Sequence, residues 1–284
     1  MITRFLLSAV LLLGFTGFAH AGEIQSALDI MTFEDSFVCE QKEARRCPHQ
    51  SFSEAVEFKA WSAEEKEIVS AYLRNIKGPR LKFFLKKIKE NGITKLHRVV
   101  YGSTWFNNAA ERRAEFVRSA NSGILWVDPV TNVIGFTDRF FKGTPFIDPF
   151  AQIERKQLNV LHELIHVFDI ANGHISSEEG FKQASGWAWD GKQFVISGVD
   201  YNAAMKDWES TYALIKHHKA AEAYFADRVK GVQYGFPTLY SMTNSHECFA
   251  EILSYYILDP TAPTYLPPEL MKYFDAVLKV DASN

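Results

Sequence analysis

Residues 152–171 read QIERKQLNVLHELIHVFDIA. Leu158, Leu161, Leu164, Ile165 and Phe168 recur at three- and four-residue spacing. That spacing predicts one amphipathic helix from Gln152 to Ala171, stopped at Gly173. His162 and His166 are four apart on it, so their imidazoles project from one face and can share a metal ion. Glu163, between them, is turned partly aside, placed to take a proton from metal-bound water rather than to ligate. A His-Glu-x-x-His pattern on a helix points to zinc and to metal-assisted hydrolysis of a peptide bond. A third ligand must then come from elsewhere in the chain.

One source would be a histidine at metzincin spacing, which requires a glycine at position 169 and a histidine at 172. The chain carries Asp169 and Asn172, so that class is excluded, and His174 lies past the helix stop. The other source is a carboxylate on a later helix. Glu247 and Glu251 are four apart in a helix predicted over 244–258, so both can face the same way. One of them can ligate while the other orients a ligand histidine from behind. Two plainer readings stand beside this one: Glu247 as the capping partner of Asn244, and Glu251 as an ordinary exposed acid. Two histidines and one glutamate leave a fourth position for water, which marks a catalytic site and not a structural one.

Residues 240–251 read YSMTNSHECFAE. This segment resembles the second signature of the anthrax lethal factor type of zinc peptidase, a gluzincin. That signature has a tyrosine, a glutamate seven residues on, and Phe-Ala-Glu in the same register. The resemblance implies Glu247 as the third zinc ligand and Glu251 as the carboxylate behind a ligand histidine. It also implies that Tyr240 faces the metal and donates to the oxyanion. Asp169, three residues after His166, matches an aspartate of the family's first motif and would accept a hydrogen bond from a ligand imidazole. The specific match covers residues 157–171 and 240–258; the Pro267–Lys279 helix is similar only loosely. Residues 174–235 form a longer linker than in lethal factor, and the first hundred residues match nothing in that family. Clostridial neurotoxins share His-Glu-Leu-Ile-His but lack the Phe-Ala-Glu run. The implied fold is α+β: a zincin-like domain with a small mixed sheet and an active-site helix.

The other ends of the chain set its context. Arg4 is the only charge before Phe5–Phe18, an apolar run followed by Ala19-His20-Ala21. This reads as a signal peptide over 1–21, predicting export to the periplasm or the extracellular space. The run is too short for an anchor, and no later stretch approaches the ~20 apolar residues a spanning helix needs, so no stable membrane insertion is expected. Formal net charge is −3, and −4 once Arg4 is removed, which argues against nucleic acid as a partner. The expected partner is a peptide or protein substrate. Hydrophobic content of 47% with 23 phenylalanines fits an ordered globular chain. In an oxidising compartment Cys39 and Cys47 are expected to pair, leaving Cys248 as a small buried hydrophobe; a bridge from Cys248 to either stays open.

Residues 22–92 read as an N-terminal helical extension and 93–284 as the catalytic domain. Ser62-Ala63-Glu64-Glu65 is a capping box opening a helix to about Ile76, Gly78-Pro79 breaks it, and Leu81–Glu90 is a second, basic helix. Residues 22 to about 50 read as irregular. Leu96–Tyr101, Ile124–Asp128 and Val133–Thr137 read as strands, Asp190-Gly191 as a hairpin turn, Tyr201–Lys219 as a helix, and Pro268 as the start of the last helix. Trp187 and Trp189 read as packing residues before cleft residues. His49, His97, His217, His218 and His246 have no partners at ligand spacing. Two further functions stay open: a secreted zinc-binding module without catalysis, which needs neither Glu163 nor Tyr240, and a zinc amidase acting on cell-wall peptides.

Overall fold

The computed structural model describes residues 26–35, 57–92, 94–100, 125–128, 133–142, 146–216 and 220–280. The expected signal peptide, Cys39 and Cys47 lie outside them. The architecture is mixed and mostly helical, and the described strands form a five-stranded sheet and a separate two-stranded hairpin. Strand β3 (Thr94–Val100) is the centre of the larger sheet. It pairs in parallel with β1 (Met31–Glu34), antiparallel with β2 (Glu57–Lys59), and in parallel with β5 (Val133–Phe136). Strand β4 (Leu125–Asp128) pairs antiparallel with β5 at the end of the described order.

The sheet crosses the boundary expected at residue 92. Strand β1 falls in the segment read as irregular, because four residues are too few to display a period. Helices α1 (Ala63–Asn75) and α2 (Leu81–Glu90) send Val69, Leu73, Phe84, Leu85 and Ile88 into the same core as the later helices. The described residues 26–35 and 57–92 are therefore built into the same fold as the later elements. The start of α1 follows from its capping box: Glu65 N–H donates to Ser62 Oγ and Ser62 N–H to the Glu65 carboxylate, both at 3.1 Å. After α1 the chain runs hard against a later helix at Gly78. A Cβ there would lie 2.3 Å from the Ile257 carbonyl oxygen, so only glycine fits.

Helix α3 (Asp138–Lys142) follows β5, and α4 (Arg155–Ala171) is the predicted motif helix, begun three residues late. Asp148 Oδ1 accepts from Phe150 N–H and Ala151 N–H, and Gln152 takes a left-handed backbone, φ 55°. This side-chain turn competes with helical hydrogen bonding and delays the helix. Next come α5 (Glu179–Ser185), the hairpin β6 (Trp187–Trp189) and β7 (Phe194–Ile196), α6 (Tyr201–Lys216) and α7 (Ala220–Gln233). Helix α7 was not foreseen: its alanines and aromatics form no single apolar stripe. Helix α8 (Ser245–Leu258) is buried at every residue from Cys248 to Leu258, which makes it the central helix; α9 (Pro268–Leu278) closes the chain over it. Cys248 is a free, buried thiol. Among the described residues, no helix is long and apolar enough to cross a membrane.

Candidate metal centre

Helices α4 and α8 pack together and meet at four predicted residues. His162 Nε2 lies 2.9 Å from Glu247 Oε2. His166 Nε2 lies 3.0 Å from His162 Nε2 and 3.3 Å from the same Glu247 oxygen. Donors of a tetrahedral zinc site, with bonds of about 2.0–2.1 Å, stand roughly 3.3 Å apart. Two imidazole nitrogens and one carboxylate oxygen thus converge on one point, a grouping that could hold a metal ion.

The supports explain why each side chain points there. Asn244, the N-cap of α8, accepts from Glu247 N–H at 2.9 Å through its own side chain. The Glu247 carboxylate does not return the bond and turns to the histidines. His162 Nδ1–H donates to Glu251 Oε2 at 2.9 Å, since a carboxylate can only accept; this leaves the Nε2 lone pair for a metal. Glu251 is buried, and its other oxygen accepts from Arg155 Nη1 (2.9 Å) and Thr238 Oγ1 (3.1 Å). Thr238 reaches it because Gly231 lets the backbones touch: a Cβ there would sit 2.4 Å from Thr238 backbone atoms.

The electrostatics favour positive charge at this point. Burial opposes a charged imidazole at His162, but the hydrogen bonds and charges of Glu247 and Glu251 outweigh it and push the group up to about 10. Against their own burial, Glu247 is held far below the carboxylate range by His162 and His166, and Glu251 falls to about 2 beside Arg155 and His162. Burial raises Glu163, and the neighbouring histidines offset this only in part. Tyr240 opens a 3-10 turn (Tyr240–Met242) ahead of α8, its ring 5.8 Å from that of His162 and 5.4 Å from that of Trp208. Burial, then the Glu247 carboxylate, keep its hydroxyl protonated well above the ordinary tyrosine range.

Asp227 on α7 holds Tyr240 by accepting its backbone N–H at 3.0 Å. It is buried, and burial raises its pKa from 3.8 to about 7. The folded protein therefore binds this proton more tightly than the unfolded chain. The resulting stabilisation is full below about pH 4 and lost as pH rises through about 7. Asp227→Asn keeps an acceptor for Tyr240 and removes the titration. Its Tm relative to wild type is expected to climb between pH 4 and 8; a difference constant across that range would exclude this account.

Two sequence readings are corrected. Asp169 does not serve a ligand imidazole: its oxygens accept from Ser176 N–H (2.7 Å) and Ser176 Oγ–H (2.6 Å), and His246 Nδ1 is 3.5 Å away. His246 is not partnerless, with Nδ1 at 2.7 Å from Ser176 Oγ and its ring 6.0 Å from that of His174. No spacing rule signals a contact between residues 70 apart in sequence. Of the other histidines read that way, His97 is buried in β3 beside Glu34, and His49, His217 and His218 lie outside the described residues. Trp187 is buried against Tyr201, while Trp189 is exposed and edge-packed on Phe194. His162, Glu163, His166, Tyr240 and Glu247 all line one cavity of about 440 Å³, with Leu125 of β4 on its wall. No protein-family model, curated protein or solved structure matches the chain.

Proposed function

We propose that this chain is an exported zinc-dependent endopeptidase of the lethal factor-like gluzincin type. The convergence of His162, His166 and Glu247 within 2.9–3.3 Å carries the reading, with Glu163 and Tyr240 on the same cavity. Those three side chains would hold the ion, and the ion would supply Lewis acidity toward water and the scissile carbonyl. Glu163 takes the proton of the attacking water and delivers it to the leaving amine. Its partial burial suits a base that must also act as an acid, and such help is worth about 10²–10⁴-fold. Tyr240, kept protonated, donates to the developing oxyanion. Glu251, braced by Arg155 and Thr238, holds His162 in the tautomer that ligates. An extended substrate would lie along β4, whose Leu125 faces the cavity. Export rests on the Arg4 and Phe5–Phe18 pattern.

A zinc-binding module without catalysis has no use for Glu163 or Tyr240 beside the metal, and their presence there disfavours it. Digestion of a denatured protein mixture, with and without a chelator, tests the proposal. The expected result is a set of cleavages abolished by chelation and restored by zinc. An intact mixture in every arm would reject the endopeptidase, and a parallel digestion of cell-wall peptides that alone showed cleavage would assign the amidase.

A further inference from the structure

The corrected residues Asp169 and His246 belong together. We infer that Asp169, His174 and His246 form a second cation site on the same cavity, taking a divalent transition-metal ion such as zinc more weakly than the first centre. One ligand atom from each of the three lies within 4.8 Å of the others. Two imidazoles and a carboxylate make a donor set suited to zinc and its neighbours and poorly suited to magnesium or calcium.

The three residues come from separate segments, and each is held in place. Asp169, in the last turn of α4, is buried and fixed by two hydrogen bonds from Ser176. Ser176 has one hydroxyl proton, and the Asp169 carboxylate can only accept, so that proton goes to Asp169. The Ser176 oxygen then accepts from His246 Nδ1–H, which sets the tautomer and tilt of the ring. His174 follows the helix stop at Gly173, and both residues have left-handed backbones, φ 82° and 64°. Among non-glycine residues histidine is one of the few enriched in that region. The double turn, closed by His174 N–H on the Asp169 carbonyl at 2.8 Å, folds the chain back over the end of α4. It sets the His174 ring opposite His246 at 79°. An Asp169–His246 contact alone would need no third member. Both histidines are exposed, so the ion would exchange with solvent and be held less tightly than one at the buried His162 centre.

Zinc titration followed by calorimetry, with ions per chain counted by native mass spectrometry, tests the inference on the full exported chain. Wild type is expected to take two zinc ions, one tight and one weak. His174→Asn, which tolerates the left-handed backbone, and His246→Gln on a different element should each lose the weak ion only. His162→Ala should lose the tight ion and keep the weak one. Saturation of wild type at one ion would overturn the inference. So would a second ion that survives both His174→Asn and His246→Gln, which would mark it as adventitious. A tight ion that survives His162→Ala would instead count against the peptidase centre, so the two readings fail separately.

Discussion

Glu163→Gln is expected to bind zinc as tightly as wild type and to hydrolyse peptides about 10²–10⁴-fold more slowly. Glutamine keeps the volume and an acceptor oxygen but cannot take a proton. The proposed metal donors are His162, His166 and Glu247, and their side-chain contacts run to one another and to Glu251. Zinc content by elemental analysis and kcat on a cleaved peptide give the two readouts. A variant within a few-fold of wild-type kcat would remove Glu163 from the mechanism; lost zinc would make it structural. Wild-type activity should also carry an acid limb set partly by this group. Because burial raises Glu163, its base form disappears on acidification at a higher pH than an ordinary carboxylate's would. That limb should vanish from the residual activity of Glu163→Gln.

Glu247→Ala should abolish stoichiometric zinc at the first centre, whereas Glu251→Ala should weaken zinc by about 10–100-fold. The difference follows from position. Glu247 Oε2 faces both imidazole Nε2 atoms, while Glu251 touches only the far nitrogen of His162. Glu251→Ala also leaves Arg155 without its carboxylate partner in a buried setting, so this variant should lose thermal stability as well. Glu251→Gln, which can still accept from His162 Nδ1–H, should recover part of the zinc affinity. The reverse ranking of Glu247→Ala and Glu251→Ala would mean that the carboxylates had been assigned the wrong way round.

Much of this site is legible in the sequence. A helical period turns His162 and His166 to one side of α4, and the same period turns Glu247 and Glu251 to one side of α8. Ser62-x-x-Glu65 and Pro268 placed two helix starts correctly because capping and proline geometry act within one turn. Local rules failed where the deciding partner was distant. Strand β1 is a strand because β3 offers it a ladder, not because MTFE has a pattern of its own. The late start of α4 depends on Asp148, whose carboxylate also meets Tyr255 and Arg228 more than 75 residues on.

Sequence by itself determined which groups each helix presents: two imidazoles and a glutamate from one, two carboxylates behind a tyrosine from the other. Periodicity is a property of a single segment, and the chain carries it wherever that segment folds. Periodicity alone left open which carboxylate faces both imidazoles, and the resemblance implied Glu247. The tertiary structure sets Glu247 beside both Nε2 atoms and Glu251 behind His162, because that choice depends on how α4 and α8 are set against each other. Only the tertiary structure decided that Asp169 turns away to Ser176 and meets His246, a contact made by packing between segments that no spacing along the chain encodes.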